Sequence, residues 1–142
     1  MAELTLEIAR RILDAALAKS IEKKLKPLVV TVLDARGCVK ATAAQDGTSL
    51  MRAEIAHGKA YGALAMGVGS KTLGTRAVER PHFLAAVNGA IGGAMVPVAG
   101  GVLVRIDGEI VGCVGVTGDS SENDELAARA GIAAAGLTGD PS

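Results

Sequence analysis

Apolar residues step by four along the start of the chain. Leu13, Leu17, Ile21 and Leu25 fall on one side, with Ala9 and Ala16 beside them. That period predicts an amphipathic helix from about Thr5 to Leu25. Lys19, Lys23 and Lys24 complement its C-terminal dipole, and Pro27 ends it. The period then changes. LVVTVLDARGCVKATA is rich in β-branched residues on either side of Asp34-Ala35-Arg36-Gly37, which predicts two strands joined by a turn. A second long helix is expected from about Leu50 to Val68, capped by Thr48 or Ser49. Its Ala56, Ala60, Ala63 and Gly67 form a small-residue stripe suited to close packing.

Residues 69–80 are polar and punctuated by glycine, and are assigned no element. Pro81 suits the first position of a short helix to about Val87, because its missing N–H would have no partner there. NGAIGGAMVPVAGG reads as a loop. VLVRI and EIVGCVGV flank Asp107-Gly108, a dipeptide strongly preferred in two-residue hairpin turns. Ser120 or Ser121 should cap a last helix to about Ala135. Two hairpins separated by helices imply an α+β fold with an antiparallel sheet rather than a parallel nucleotide-binding sheet. At 142 residues, without a linker or repeat, the chain is expected to be one domain.

Composition narrows the function classes. Fifteen basic residues balance fifteen acidic ones, and Phe83 and Tyr61 are the only aromatics, so nucleic acid finds neither a basic footprint nor stacking platforms. No apolar run has membrane-spanning length and the N-terminus lacks a leader pattern, so a cytoplasmic protein is expected. A mean hydropathy of +0.36 points to a homo-oligomer that hides apolar surface. Cys38 and Cys113 have no metal-ligand spacing. Each interrupts a valine-rich run and is expected to be buried and reduced.

GGVLVRIDGEIVGCVGVTGDSSENDELAARAGIAA, residues 100–134, resembles the C-terminal signature of the GlcG/HbpS-like family. VVTVLDARGCVKATAAQDG, the arginine after Ser-Leu-Met, and IAHGKAYGALAMG are similar to its first half. The resemblance implies a profilin-like fold, a five-stranded antiparallel sheet flanked by helices in α/β/α layers, and homo-oligomers. Haem is the cofactor it implies. The related PduO-type C-terminal domain uses a histidine on its N-terminal helix as haem ligand. Residues 5–25 contain no histidine, so that ligand has no counterpart here.

Two histidines remain as ligands for haem iron, His57 and His82. His57 lies one helical turn from Tyr61. His82 follows Arg80 and Pro81 and precedes Phe83. The alternatives are a partly exposed helix residue for His57 and a packing or capping role for His82. Met51, Met66 and Met95 are either second ligands or core filler. Arg52 and Lys59, seven apart on one helix, could clamp carboxylates or haem propionates together with Arg80, or be ordinary surface charges. Arg52 also matches the family pattern. Gly92-Gly93 and Gly100-Gly101 permit close approach to a ligand, or simply a tight loop before the hairpin. Thr117, Asp119, Asn123, Asp124 and Glu125 read as capping and dipole complement rather than acid–base machinery.

The expected ligand site thus lies around the middle helix, the short helix and the glycine-rich loop. The functional expectation is a small-ligand-binding protein, with haem as its ligand, accessory to a catabolic pathway. The alternative is a small enzyme, a lyase, isomerase or haem-degrading activity, using a histidine as acid or base.

Overall fold

The structure is a computed structural model and describes residues 2–142. In chain order its elements are α1 (Leu6–Glu22), β1 (Val29–Asp34), β2 (Val39–Ala44), α2 (Arg52–Met66), α3 (Ser70–Glu79), α4 (Pro81–Ala90), β3 (Gly101–Ile106), β4 (Glu109–Thr117), α5 (Ser121–Ala134) and β5 (Thr138–Asp140). The strands form one antiparallel sheet in the order β2-β1-β4-β3-β5.

Both predicted hairpins form, and local chemistry explains why. Asp34 Oδ1 accepts from the backbone N–H groups of Arg36 (2.9 Å) and Cys38 (3.0 Å), closing the first turn, while Gly37 supplies φ +82°. In the second turn Asp107 and Gly108 have φ of 50° and 82°, the pair of positive values that a two-residue turn matched to strand twist requires.

Alternation along the strands sorts side chains to two faces. Val30, Val32, Val102, Val104, Val114 and Val116 meet α1 and α5, while Leu33, Leu103 and Cys113 meet α2. The expected α/β/α layering is therefore present. Full burial of an Ile or Val in the first layer contributes about 1.5–3 kcal/mol each.

α1 turns most of its predicted stripe inward but centres the buried face on Ile12 rather than on the leucines. Ala9, Ile12, Ala16 and Ser20 are buried, Leu13 and Leu17 flank the core, and Ile21 is 72% exposed. The reason is the approach of α5, where Gly131 sits against the Ile12 carbonyl and Ala16, so small residues occupy the seam.

Three further expectations are corrected. Residues assigned no element form α3, whose Leu73 packs with Leu84 and Met95. The first residue before α2 is Met51, with no side-chain cap, in place of Thr48 or Ser49. Cys38 is exposed because it falls in the turn just before β2, whereas Cys113 is buried in β4. Ser120 does cap α5, accepting from the Asn123 N–H at 3.1 Å.

Candidate functional site

Coverage of the two sheet faces is unequal. On one, α1 lies over β1 and β2 while α5 lies over β3, β4 and β5. On the other, α2 packs over β4, β1 and β3. It can settle closely because Gly115 and Gly101 present no side chain, and lie directly against the Ala56 and Lys59 carbonyls. Beside α2, over β1 and β2, a cleft of about 650 Å³ remains open. Thr31, Thr42 and Val39 come from the strands, Met51 precedes α2, and its first turns add Ala53, Glu54, Ile55 and His57. Gly93, Ala94 and Val96 complete the wall.

That wall is held by α2 itself. Val96 N donates to the Gly58 carbonyl at 3.1 Å, and a Cβ at position 58 would meet the Ala94 carbonyl and Val96 Cγ2, both at 2.6 Å. Gly58 thereby sets the cleft width. Gly92 and Gly93 have φ of 87° and 82° with open space around them, so their role is the turn after α4.

His57 lines the cleft, half-buried, with its ring stacked on Tyr61 at a centroid distance of 5.5 Å and an interplanar angle of 15°. Tyr61 in turn packs against Gly37 of the first turn. No hydrogen bond among the described residues engages the imidazole, so a ring nitrogen is free to meet a ligand. Thr31 Oγ1 and Thr42 Oγ1 share a hydrogen bond of 2.9 Å on the floor. Glu54 is the one charged side chain among the described lining residues.

The other expected site residues lie elsewhere. Lys59 does not face the cleft: its side chain is 3% exposed, and Nζ donates to Val116 O (2.9 Å) and Asp124 Oδ2 (3.1 Å). Burial pushes Lys59 below the usual lysine value and Asp124 above the usual carboxylate value, and their mutual attraction opposes both shifts. Gly100 and Gly101 are buried against this lysine, and so serve packing. Arg52 Nη1 donates to Thr117 Oγ1 at 2.9 Å. His82 and Arg80 are exposed at the start of α4, with the Arg80 guanidinium 4.4 Å from the centre of the Phe83 ring. Met95 is core, while Met51 reaches the cleft.

Thus His57 and Gly93 meet on the cleft with Tyr61 behind, and Arg52, Lys59, Arg80, His82, Gly92, Gly100 and Gly101 do not line it. Sequence reasoning missed Thr31, Thr42 and Glu54. Thr31 is nevertheless visible as the polar interruption of VVTVLD, a strand buried at all six positions.

A five-stranded antiparallel sheet between two helix layers, cleft on one face, defines a class of small α+β folds. Within it, the chain belongs to the HbpS-like family, whose model, described as haem degrading protein HbpS-like, matches residues 4–133. The crystal structure of the PduOC:heme complex superposes with a TM-score of 0.86 at 27% identity, covering 96% of this chain and 98% of that one. That of HbpS gives 0.81 at 29%, covering 94% and 90%. An uncharacterized 15.0 kDa protein from the dhaT-dhaS intergenic region of Citrobacter freundii is 29% identical over 93% of this chain and 92% of its own length. The corrinoid adenosyltransferase PduO of the same organism is 32% identical over 76% of this chain, a match that spans 32% of that enzyme.

Proposed function

We propose that the protein binds a planar, largely apolar ligand of the haem type in the cleft, with His57 as the iron ligand. The observation that carries this reading is the placement of His57 on the lining, with its imidazole free of hydrogen bonds. The cleft volume falls within the range typical of small-molecule sites, and Val39, Met51, Ile55, Ala94 and Val96 supply apolar walls. The PduOC complex with heme and the family's description as haem degrading support the same ligand. Haem brings a redox-active iron. The chain contributes one imidazole donor, a stacked Tyr61 that fixes the plane of that imidazole, and apolar wall residues such as Ile55 and Val96.

The described lining contains no Lys or Arg, so the propionates of a bound haem would extend to solvent rather than into the floor. Apolar Leu50 (91% exposed), Met51 and Val39 beside the cleft support association of further copies around a loaded site. Titration with hemin tests the assignment. A stoichiometric Soret shift is expected, lost in His57→Ala and retained in His82→Ala. The reverse pattern would overturn it.

A further inference from the structure

Thr31 is 2% exposed, yet it stands in the middle of a strand whose neighbours on both sides are valine. Its hydroxyl meets that of Thr42 across the β1–β2 register at 2.9 Å, and both residues line the cleft. Two hydroxyls carry two hydrogens, and the bond between them uses one. No other hydrogen bond among the described residues involves either oxygen. One donor hydrogen and spare lone pairs therefore remain on the cleft side of the pair, between a buried Thr31 and an exposed Thr42, where a ligand atom can take them up.

We propose that this hydroxyl pair recognises a neutral carbonyl oxygen on the inserted edge of the ligand. On that basis, the cleft prefers a ring-opened tetrapyrrole with terminal lactam carbonyls to the intact macrocycle. The inference rests on the haem-type reading above. Carboxylates are disfavoured at this depth, because Glu54 is the sole charge on the described lining and no basic group offsets a second negative charge. Intact haem has oxygen only in its two carboxylate side chains, so its apolar edge leaves the pair without a partner. A linear tetrapyrrole ends in lactam carbonyls, one of which can accept the single hydrogen that the pair has left. The threonines are then specificity-determining residues that sense whether the ring is closed.

The test compares biliverdin and hemin as probes, each titrated by visible absorption into the full chain. Wild type should bind both. Thr31→Val and Thr42→Val keep side-chain shape and suit a strand. Each should weaken biliverdin about three- to tenfold, the scale of one neutral hydrogen bond, and leave hemin within about twofold. Thr31→Ser restores the hydroxyl and should restore biliverdin affinity. Hemin binding without biliverdin binding overturns the proposal. So does equal weakening of both probes, or a loss of thermal stability with both affinities intact, which would leave the pair as an ordinary cross-strand contact. Failure of hemin itself to bind, or binding indifferent to His57→Ala, instead removes the haem-type reading, and the selectivity falls with it.

Discussion

Lys59 on α2 and Asp124 on α5 are paired at 3.1 Å although their helices lie on opposite faces of the sheet. The lysine passes the end of β4, taking the Val116 carbonyl on the way, through space that Gly100 leaves free: a Cβ there would stand 2.9 Å from Nζ. Asp124 spends its second oxygen on the Asp119 N–H at 2.9 Å, so one carboxylate joins α2, β4 and the start of α5.

Lys59→Met should therefore cost about 3–5 kcal/mol, because it leaves Asp124 buried without its partner. The double variant Lys59→Met/Asp124→Leu should recover a large part of that loss. Urea denaturation of the two singles and the double measures the coupling. Additive losses would refute a direct pair.

Gly115→Ala probes the seating of α2. The added methyl would collide with the Ala56 carbonyl, a backbone atom that moves only with the helix. A loss of about 1–3 kcal/mol is expected, together with weaker hemin binding as the cleft wall shifts. Unchanged melting would show that α2 sits further from the sheet.

Acid stability should depend on Asp119. The Asn123 amide, with the backbone N–H groups of Lys26 and Ser120, holds its carboxyl at about 2, below its usual 3.8. A depressed acid stabilises the fold above its unfolded value and loses that contribution as pH falls through its folded one. Asp119→Asn should thus be less stable than wild type at neutral pH, with the gap closing between about pH 4 and pH 2. Urea midpoints across that range check the sign.

The two thiols should react very differently. Cys38 is exposed, whereas burial pushes the Cys113 thiol far up and keeps it protonated. Native protein should consume one equivalent of a thiol reagent quickly, and the second only on unfolding. Fast reaction at both positions would contradict the placement of β4.

Local chemistry was legible in the sequence. The Asp34 turn, the Asp107-Gly108 turn and the Ser120 cap each follow from a few adjacent residues, and each formed where expected. Helix α3 was not legible. Its Gly74 reads as a breaker, but it lies 3.0 Å, measured from an ideal Cβ, from the Pro97 carbonyl, a contact only the folded chain reveals. β5 has three residues and is defined by its pairing with β3, which no local pattern announces. The candidate site was half visible. His57 stood out by residue type, but the cleft arises where α2, seated over β4, β1 and β3, stops short of β2, and that boundary is tertiary. Lys59 misled because a charge on a helix reads as surface until its buried partner is found.

The unequal covering of the sheet divides the labour of the molecule. Cohesion is concentrated under α1 and α5, where valines of β1, β3 and β4 pack against the two helices. On the reading proposed here, recognition falls to the outer strip of the opposite face, where Val39, Thr42, Met51 and Glu54 are exposed and bind little of the core together. Substitutions in that strip can change what the cleft accepts at small cost in folding free energy, since exposed positions away from caps and buried pairs shift stability by roughly half a kcal/mol or less. If the cleft is the ligand site, the architecture lets what it accepts change while the scaffold stays fixed.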